Sequence, residues 1–131
     1  MNTKNPWEKS YPQKLKNYSV DLTSLPKSVD RFLLNATRDY GDALAFTVIQ
    51  PDGTTADLSF EDADRLSSAF SAYLVEHENL TCGDVIALQL PNCLNYPIAV
   101  LGSWKAGLIV TNVNPLYTER ELRTQLVDSD A

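Results

Sequence analysis

Apolar residues along this chain change their period several times, and each change marks an element. From Ser28 to Tyr40, Val29, Phe32, Leu33 and Ala36 repeat at helical spacing, with Ser28 placed to cap the helix and Gly41 to end it. Two short strands follow, Leu44–Gln50 and Thr54–Leu58, joined at Pro51–Asp52–Gly53 with the spacing of a β-hairpin. Ser59 then opens a second helix, with Asp62 as an acidic variant of the capping box, and Ala63, Leu66, Phe70, Tyr73 and Leu74 recur on one face to about Glu76. Beyond Gly83–Asp84 the pattern becomes strand, helix, strand, helix. Val85–Leu90 is an apolar strand, and the next helix carries Pro97 in its first turn and is apolar on nearly every side. Leu108–Val113 is a second apolar strand, and a last amphipathic helix starts at Thr118 with a Thr118–Glu121 capping box and an i,i+4 pair, Glu119 with Arg123.

This order predicts an α/β fold, a partial sheet wound with helices plus a β-hairpin, joined by a right-handed crossover. A parallel sheet needs each strand continued by a neighbour, and the pattern stops where a further strand is due. The expectation is therefore a piece of a larger protein, with residues 1–26 as an extended leader and 27–131 as an α/β subdomain incomplete at its C-terminal end.

Length and charge narrow the function. A chain of 131 residues can bury about two-thirds of its unfolded surface. Its formal charge of −6 disfavours nucleic acid and anionic surfaces, although Lys4, Lys9, Lys14 and Lys16 gather in the leader. A solvated tail is the plain reading of that leader, and a membrane-touching arm is the other. Two cysteines, Cys82 and Cys93, make no disulfide framework or metal pair and fit a reducing compartment. The longest apolar stretch, Ile98–Val113, is interrupted by Gly102, Lys105 and Gly107 and falls short of the roughly 20 residues a bilayer helix needs.

Few residues suggest chemistry. The glycines at 41, 53, 83, 102 and 107 are too far apart to form a phosphate cradle, and Gly102–Gly107 lies in an apolar helix where small residues favour close packing. His77 reads as a cation at a helix C-terminus, and Glu61, Asp62 and Asp64 as first-turn acids that complement a helix dipole. Asp128 and Asp130 read as solvated loop residues. One loop remains, Asn114–Pro115–Leu116–Tyr117, which follows a strand's carboxyl end and precedes a helix N-terminus, where α/β sheets gather ligands. Asn–Pro is also simply a good turn.

Several short runs occur together in a telling order. They are Gly83–Asp84–Val85, Leu90–Pro91–Asn92, Lys105–Ala106–Gly107, Asn112–Val113–Asn114–Pro115–Leu116–Tyr117–Thr118, Arg120–Glu121–Leu122, Gln125–Leu126 and Asp128–Ser129–Asp130–Ala131, with Ser59–Phe60 and Ala72–Tyr73–Leu74 upstream. Over about residues 28–131 the chain resembles the N-terminal part of adenylate-forming (AMP-forming) acyl-CoA synthetases, and most of all the long-chain fatty acid–CoA ligases. That resemblance implies an enzyme that adenylates a carboxylate with ATP and Mg²⁺, releases pyrophosphate, and passes the acyl group to coenzyme A. It implies that Asn114, Pro115 and Leu116 border the coenzyme A path. The family's phosphate loop, nucleotide contacts, hinge and catalytic lysine have no counterpart in this chain, so no catalytic residue or metal ligand is assigned and the chain itself is expected to be inactive. The implied partners are the remainder of the polypeptide, a fatty acid and a second copy in a homodimer. The implied location is the cytoplasm, with peripheral attachment at the inner face of the membrane left open. Aryl, short-chain or amino-acid adenylating enzymes, and a stand-alone interaction module built on the same fold, are the alternatives.

Overall fold

The computed structural model describes Trp7, residues 10–13 and residues 21–131. Most of the expected leader lies outside the described residues. A 3₁₀ turn, Leu22–Ser24, falls in its described part, capped by the Asp21 carboxylate.

Helix α1 spans Val29–Tyr40 and ends at Gly41, whose N–H donates to the Thr37 carbonyl. Strands β1 (Leu44–Ile49) and β2 (Thr55–Ser59) pair antiparallel as the expected hairpin. Helix α2 (Phe60–Glu76) is capped by the Ser59 hydroxyl, which accepts from the Asp62 N–H at 3.0 Å. Strands β3 (Val85–Leu88) and β4 (Ile109–Asn112) are parallel, joined through helix α3 (Asn95–Lys105), and helix α4 (Glu119–Ser129) closes the described chain. The two sheets have two strands each. A hairpin beside a parallel βαβ unit is the α/β arrangement expected.

The core lies between the parallel pair and two helices. Leu88 of β3 packs with Ala99 and Val100 of α3, and Phe70 of α2, Ile86, Leu90, Tyr96 and Val110 close around them. The α2–α3 contact is made by small residues. Ala63 and Ser67 on α2 are fully buried, as is Ser103 on α3. At Gly102 a β-carbon would lie 2.7 Å from the Ser67 carbonyl oxygen and 2.9 Å from a ring carbon of Phe70. No side chain fits between the two backbones there. The buried hydroxyls are satisfied within their own helices, Ser67 to the Asp64 carbonyl and Ser103 to the Ala99 carbonyl.

A half-buried ion pair seals the same contact. The Lys105 ammonium donates to the Asp64 carboxylate at 2.6 Å, to the Asp64 carbonyl at 2.8 Å and to the Ser68 hydroxyl at 2.8 Å, which uses all three of its protons. Asp64, expected as a first-turn acid, lies beyond the first turn of α2 and instead ties α2 to α3. Asp62 does match the capping reading and also pairs with Arg65.

Other expectations need correction. Of the face expected to point inward on α1, only Leu33 is buried, while Phe32 is 64% exposed. The helix meets α2 and α3 along one narrow edge, so its wider apolar stripe stays in water. Tyr73, expected on the core face of α2, is exposed, and Ser67 is buried instead. Helix α3 is buried at Ala99, Val100, Gly102 and Ser103, and Trp104 projects outward. Helix α4 has no buried residue, and among the described residues Glu119 and Arg123 form no ion pair. Such exposed pairs gain too little to fix two long side chains. Asp128 lies within α4, and Asp130 ends it in the left-handed conformation. Strand β3 stops at Leu88, short of the expected Leu90, and the Gln89 side chain donates to the Asn114 carbonyl.

The contact at Gly102 sets two effects against each other. Alanine in a helix interior gains about 1 kcal/mol over glycine, whereas forcing a methyl group into a filled contact costs about 1–3 kcal/mol. The obstructing atom is backbone oxygen, which cannot swing aside, so the clash prevails. Gly102→Ala is expected to lower the urea midpoint of unfolding. A raised midpoint would mean that α2 and α3 are not held this close.

Candidate functional site

The loop that leaves β4 is built from short, local hydrogen bonds. The Val113 N–H donates to the Leu88 carbonyl at 2.9 Å and extends the parallel ladder one step past β4. Asn114 then turns the chain. Its side-chain oxygen accepts the Leu116 N–H at 3.0 Å, and its carbonyl accepts the Tyr117 N–H at 3.1 Å. This is an Asx turn, in which a side-chain amide stands in for a backbone acceptor. Pro115 lies inside it, where the missing N–H removes nothing. Gln89, just past β3, donates to the same Asn114 carbonyl at 3.3 Å and ties the loop to the neighbouring strand.

The turn leads directly into the N-terminus of α4. Thr118 and Glu121 form a full capping box. The Glu121 carboxylate accepts the Thr118 N–H at 2.8 Å, and the Thr118 hydroxyl accepts the Glu121 N–H. The Thr118 hydroxyl also donates to the Glu121 carboxylate, and this bond, with that from the Thr118 N–H, holds the Glu121 pKa below its ordinary value of 4.5. On the inner side of α4, Gln125 donates to the Asn112 carbonyl at 2.7 Å and to the Thr111 hydroxyl at 3.1 Å, the polar link from α4 back to β4.

These bonds place Asn114, Pro115 and Leu116 together at the carboxyl end of the parallel pair, as their spacing suggests. Leu116 is 88% exposed, so the loop presents an apolar side chain to its surroundings with nothing packed on it among the described residues. Beside it, a cleft of about 570 Å³ opens between β4 and α4, lined among others by Asn112, Tyr117, Arg120, Thr124, Gln125 and Asp128. Sequence pattern alone does not single out Arg120, which makes no ion pair among the described residues. Its signal is a guanidinium in the first turn of the helix that follows the Asn114–Tyr117 loop.

The other candidate residues stand apart from this site. His77 is the C-cap of α2, with its ring stacked 5.3 Å from that of Tyr73. Cys82 and Cys93 are free thiols. Gly107 has a positive φ of 78°, and a β-carbon there would lie 2.9 Å from the Cys82 sulfur, so it serves the tight turn into β4. The described residues do not fit a bound triphosphate, since the glycines stand singly in separate turns or inside α3. Among them, no cluster of three His, Cys, Asp or Glu side chains could hold a metal ion. No described helix is long and apolar enough to cross a membrane.

A profile of the family described as AMP-binding enzyme matches residues 33–131. The chain belongs to this family. A long-chain-fatty-acid–CoA ligase of Haemophilus influenzae is 41% identical over 125 residues, which is 95% of this chain and 21% of that protein. One from Salmonella typhimurium is 51% identical over 74 residues, 56% of this chain and 13% of its own length. In three dimensions the chain resembles the N-terminal subdomain of Klebsiella oxytoca NpsA with a TM-score of 0.73 and 22% identity. That match covers 81% of this chain and 26% of NpsA's, and it speaks for the fold alone. The chain spans about a fifth of the length of the curated H. influenzae relative. The fold and family expected from the motif order therefore stand.

The capping box has a pH signature. Because the folded-state pKa of Glu121 is depressed, its contribution is fully present above the unfolded value, near 4.5, and is lost as pH falls through the lower folded value. Glu121→Gln is expected to reduce stability at neutral pH, with the difference from wild type shrinking as thermal melts are taken to progressively lower pH below 4.5. A difference that is constant with pH would show that the carboxylate does not act through its charge.

Proposed function

We propose that this chain is the N-terminal portion of a fatty acid–CoA ligase and that its role is to carry a loop beside the coenzyme A path, not to bind the nucleotide. The parent enzyme joins a carboxylate, ATP and coenzyme A to give acyl-CoA, AMP and pyrophosphate. ATP activates the acid as an acyl adenylate, and the thiol of coenzyme A then displaces AMP. Mg²⁺ accompanies the nucleotide. The single observation that carries this reading is the 41% identity to a long-chain-fatty-acid–CoA ligase along 95% of the chain.

The loop supports it. Asn114 and Pro115 form a turn held by three hydrogen bonds, and Leu116 projects from it at the carboxyl end of β4, where α/β sheets meet their ligands. A rigid turn with one exposed apolar side chain suits a wall along which a flexible thiol arm passes. We assign Asn114, Pro115 and Leu116 to that wall. The phosphates belong to other parts of the parent, since no backbone cradle for them exists among the described residues. Two unpaired cysteines fit a cytoplasmic setting.

Two half-reactions of the parent enzyme test the proposal. With palmitate, ATP-dependent pyrophosphate exchange reports adenylation, and acyl-CoA formation reports thiol transfer. Leu116→Trp is expected to slow acyl-CoA formation while leaving exchange near wild type. Loss of exchange in a folded variant would move the loop to adenylation, and unchanged kinetics in both steps would leave it a simple turn. Turnover with 4-coumarate or an amino acid but not with palmitate would refute the fatty acid assignment.

A further inference from the structure

The apolar surface of this chain is unevenly distributed, and one part of it forms a groove. Between β1 and one side of α3 lies a concavity of about 370 Å³ whose walls include Phe46, Val48, Leu94, Tyr96, Leu101 and Trp104. No lining side chain carries a charge. Elsewhere on β1, Leu44 and Ile49 are also exposed. An aromatic-rich, charge-free patch of this kind has the composition of the centre of a protein–protein interface. Left in water it is costly and prone to association.

Three occupants are conceivable, and the geometry separates them. Small-molecule sites enclose about 70–90% of their ligand. Here Phe46 and Trp104 are 40% and 41% exposed, so the groove is open along its length and an acyl chain in it would keep one side in water. A second copy would bring together two chains of formal charge −6. A covalently continuous partner meets neither objection, and the length of the relatives supplies one: this chain corresponds to 21% of the H. influenzae protein. We infer that the groove between β1 and α3 is the seat on which the remaining polypeptide of the parent enzyme packs an apolar segment. This inference rests on the parent proposed above. It adds the surface through which this part would be locked to the rest, on the opposite flank of α3 from its contact with α2.

Cys93 lines the groove and offers a probe, because a thiol there can react only when the groove is open. In a Cys82→Ser background, the rate of labelling of Cys93 by a bulky maleimide is followed by peptide mass spectrometry. The isolated chain at low concentration is compared with the full-length parent. Labelling in the parent is expected to be slower by about tenfold or more, the sign of a covered site that opens only transiently. Equal rates would overturn the inference. So would protection that appears in the parent only when palmitate is added, or protection in the isolated chain that rises with its concentration, since these would assign the groove to the acyl chain or to a second copy. Acyl-CoA synthesis by the same parent is assayed separately, so a failure of the packing inference is distinguishable from a failure of the enzymatic reading.

Discussion

The near-contact of two backbones, α2 and α3 at Gly102, is the constraint on which the rest of this structure depends. Small residues on both helices, Ala63 and Ser67 facing Gly102 and Ser103, let the helices approach until no β-carbon fits at one position. Close approach brings Phe70 over Ala99 and Val100, and those residues in turn cover Leu88 and Val110 of the parallel strands. Lys105 pins the far end of the contact to Asp64 and Ser68. This half-buried pair joins the two helices, with the Lys105 ammonium fully hydrogen-bonded.

Much of this fold is legible in the order of residues alone. The alternation of strand and helix from Val85 onward, the caps at Ser59 and Thr118 and the turn at Pro51–Asp52–Gly53 are local signals, and the structure follows them. What is not legible depends on which neighbour an element meets. Phe32 stands at a core-like position on α1 yet faces water, because α1 rests on its neighbours only near Leu33. Ser67 looks polar but is buried, because its small size matters more at a close helix crossing than its hydroxyl, which a local carbonyl satisfies. The Asp64–Lys105 pair joins residues 41 apart, beyond the reach of any periodicity.

The candidate site is legible in part. The Asn114–Pro115 turn is a local motif, and its position after a strand marks it as a place where ligands gather. The cleft along α4, with Arg120 and Gln125 on its walls, needs the third dimension, since it brings Asn112 of β4 beside residues of α4, which Gln125 links to Thr111 and Asn112. In this member of the AMP-binding enzymes a small core holds the Asn114–Pro115 loop at the carboxyl end of two strands. On this account the loop is only as well placed as β4, and β4 only as well placed as the helix pair behind it.

That dependence can be measured directly by amide hydrogen exchange on the wild-type chain and on Gly102→Ala. The amides of Ile109 and Val113, which donate to the Asp84 and Leu88 carbonyls, report on the parallel ladder far from the substituted residue's own helix. If the α2–α3 contact supports the sheet, their exchange should accelerate together with that of the α2 and α3 amides, as one cooperative unit. Faster exchange confined to the two helices, with Ile109 and Val113 as protected as in the wild type, would contradict it.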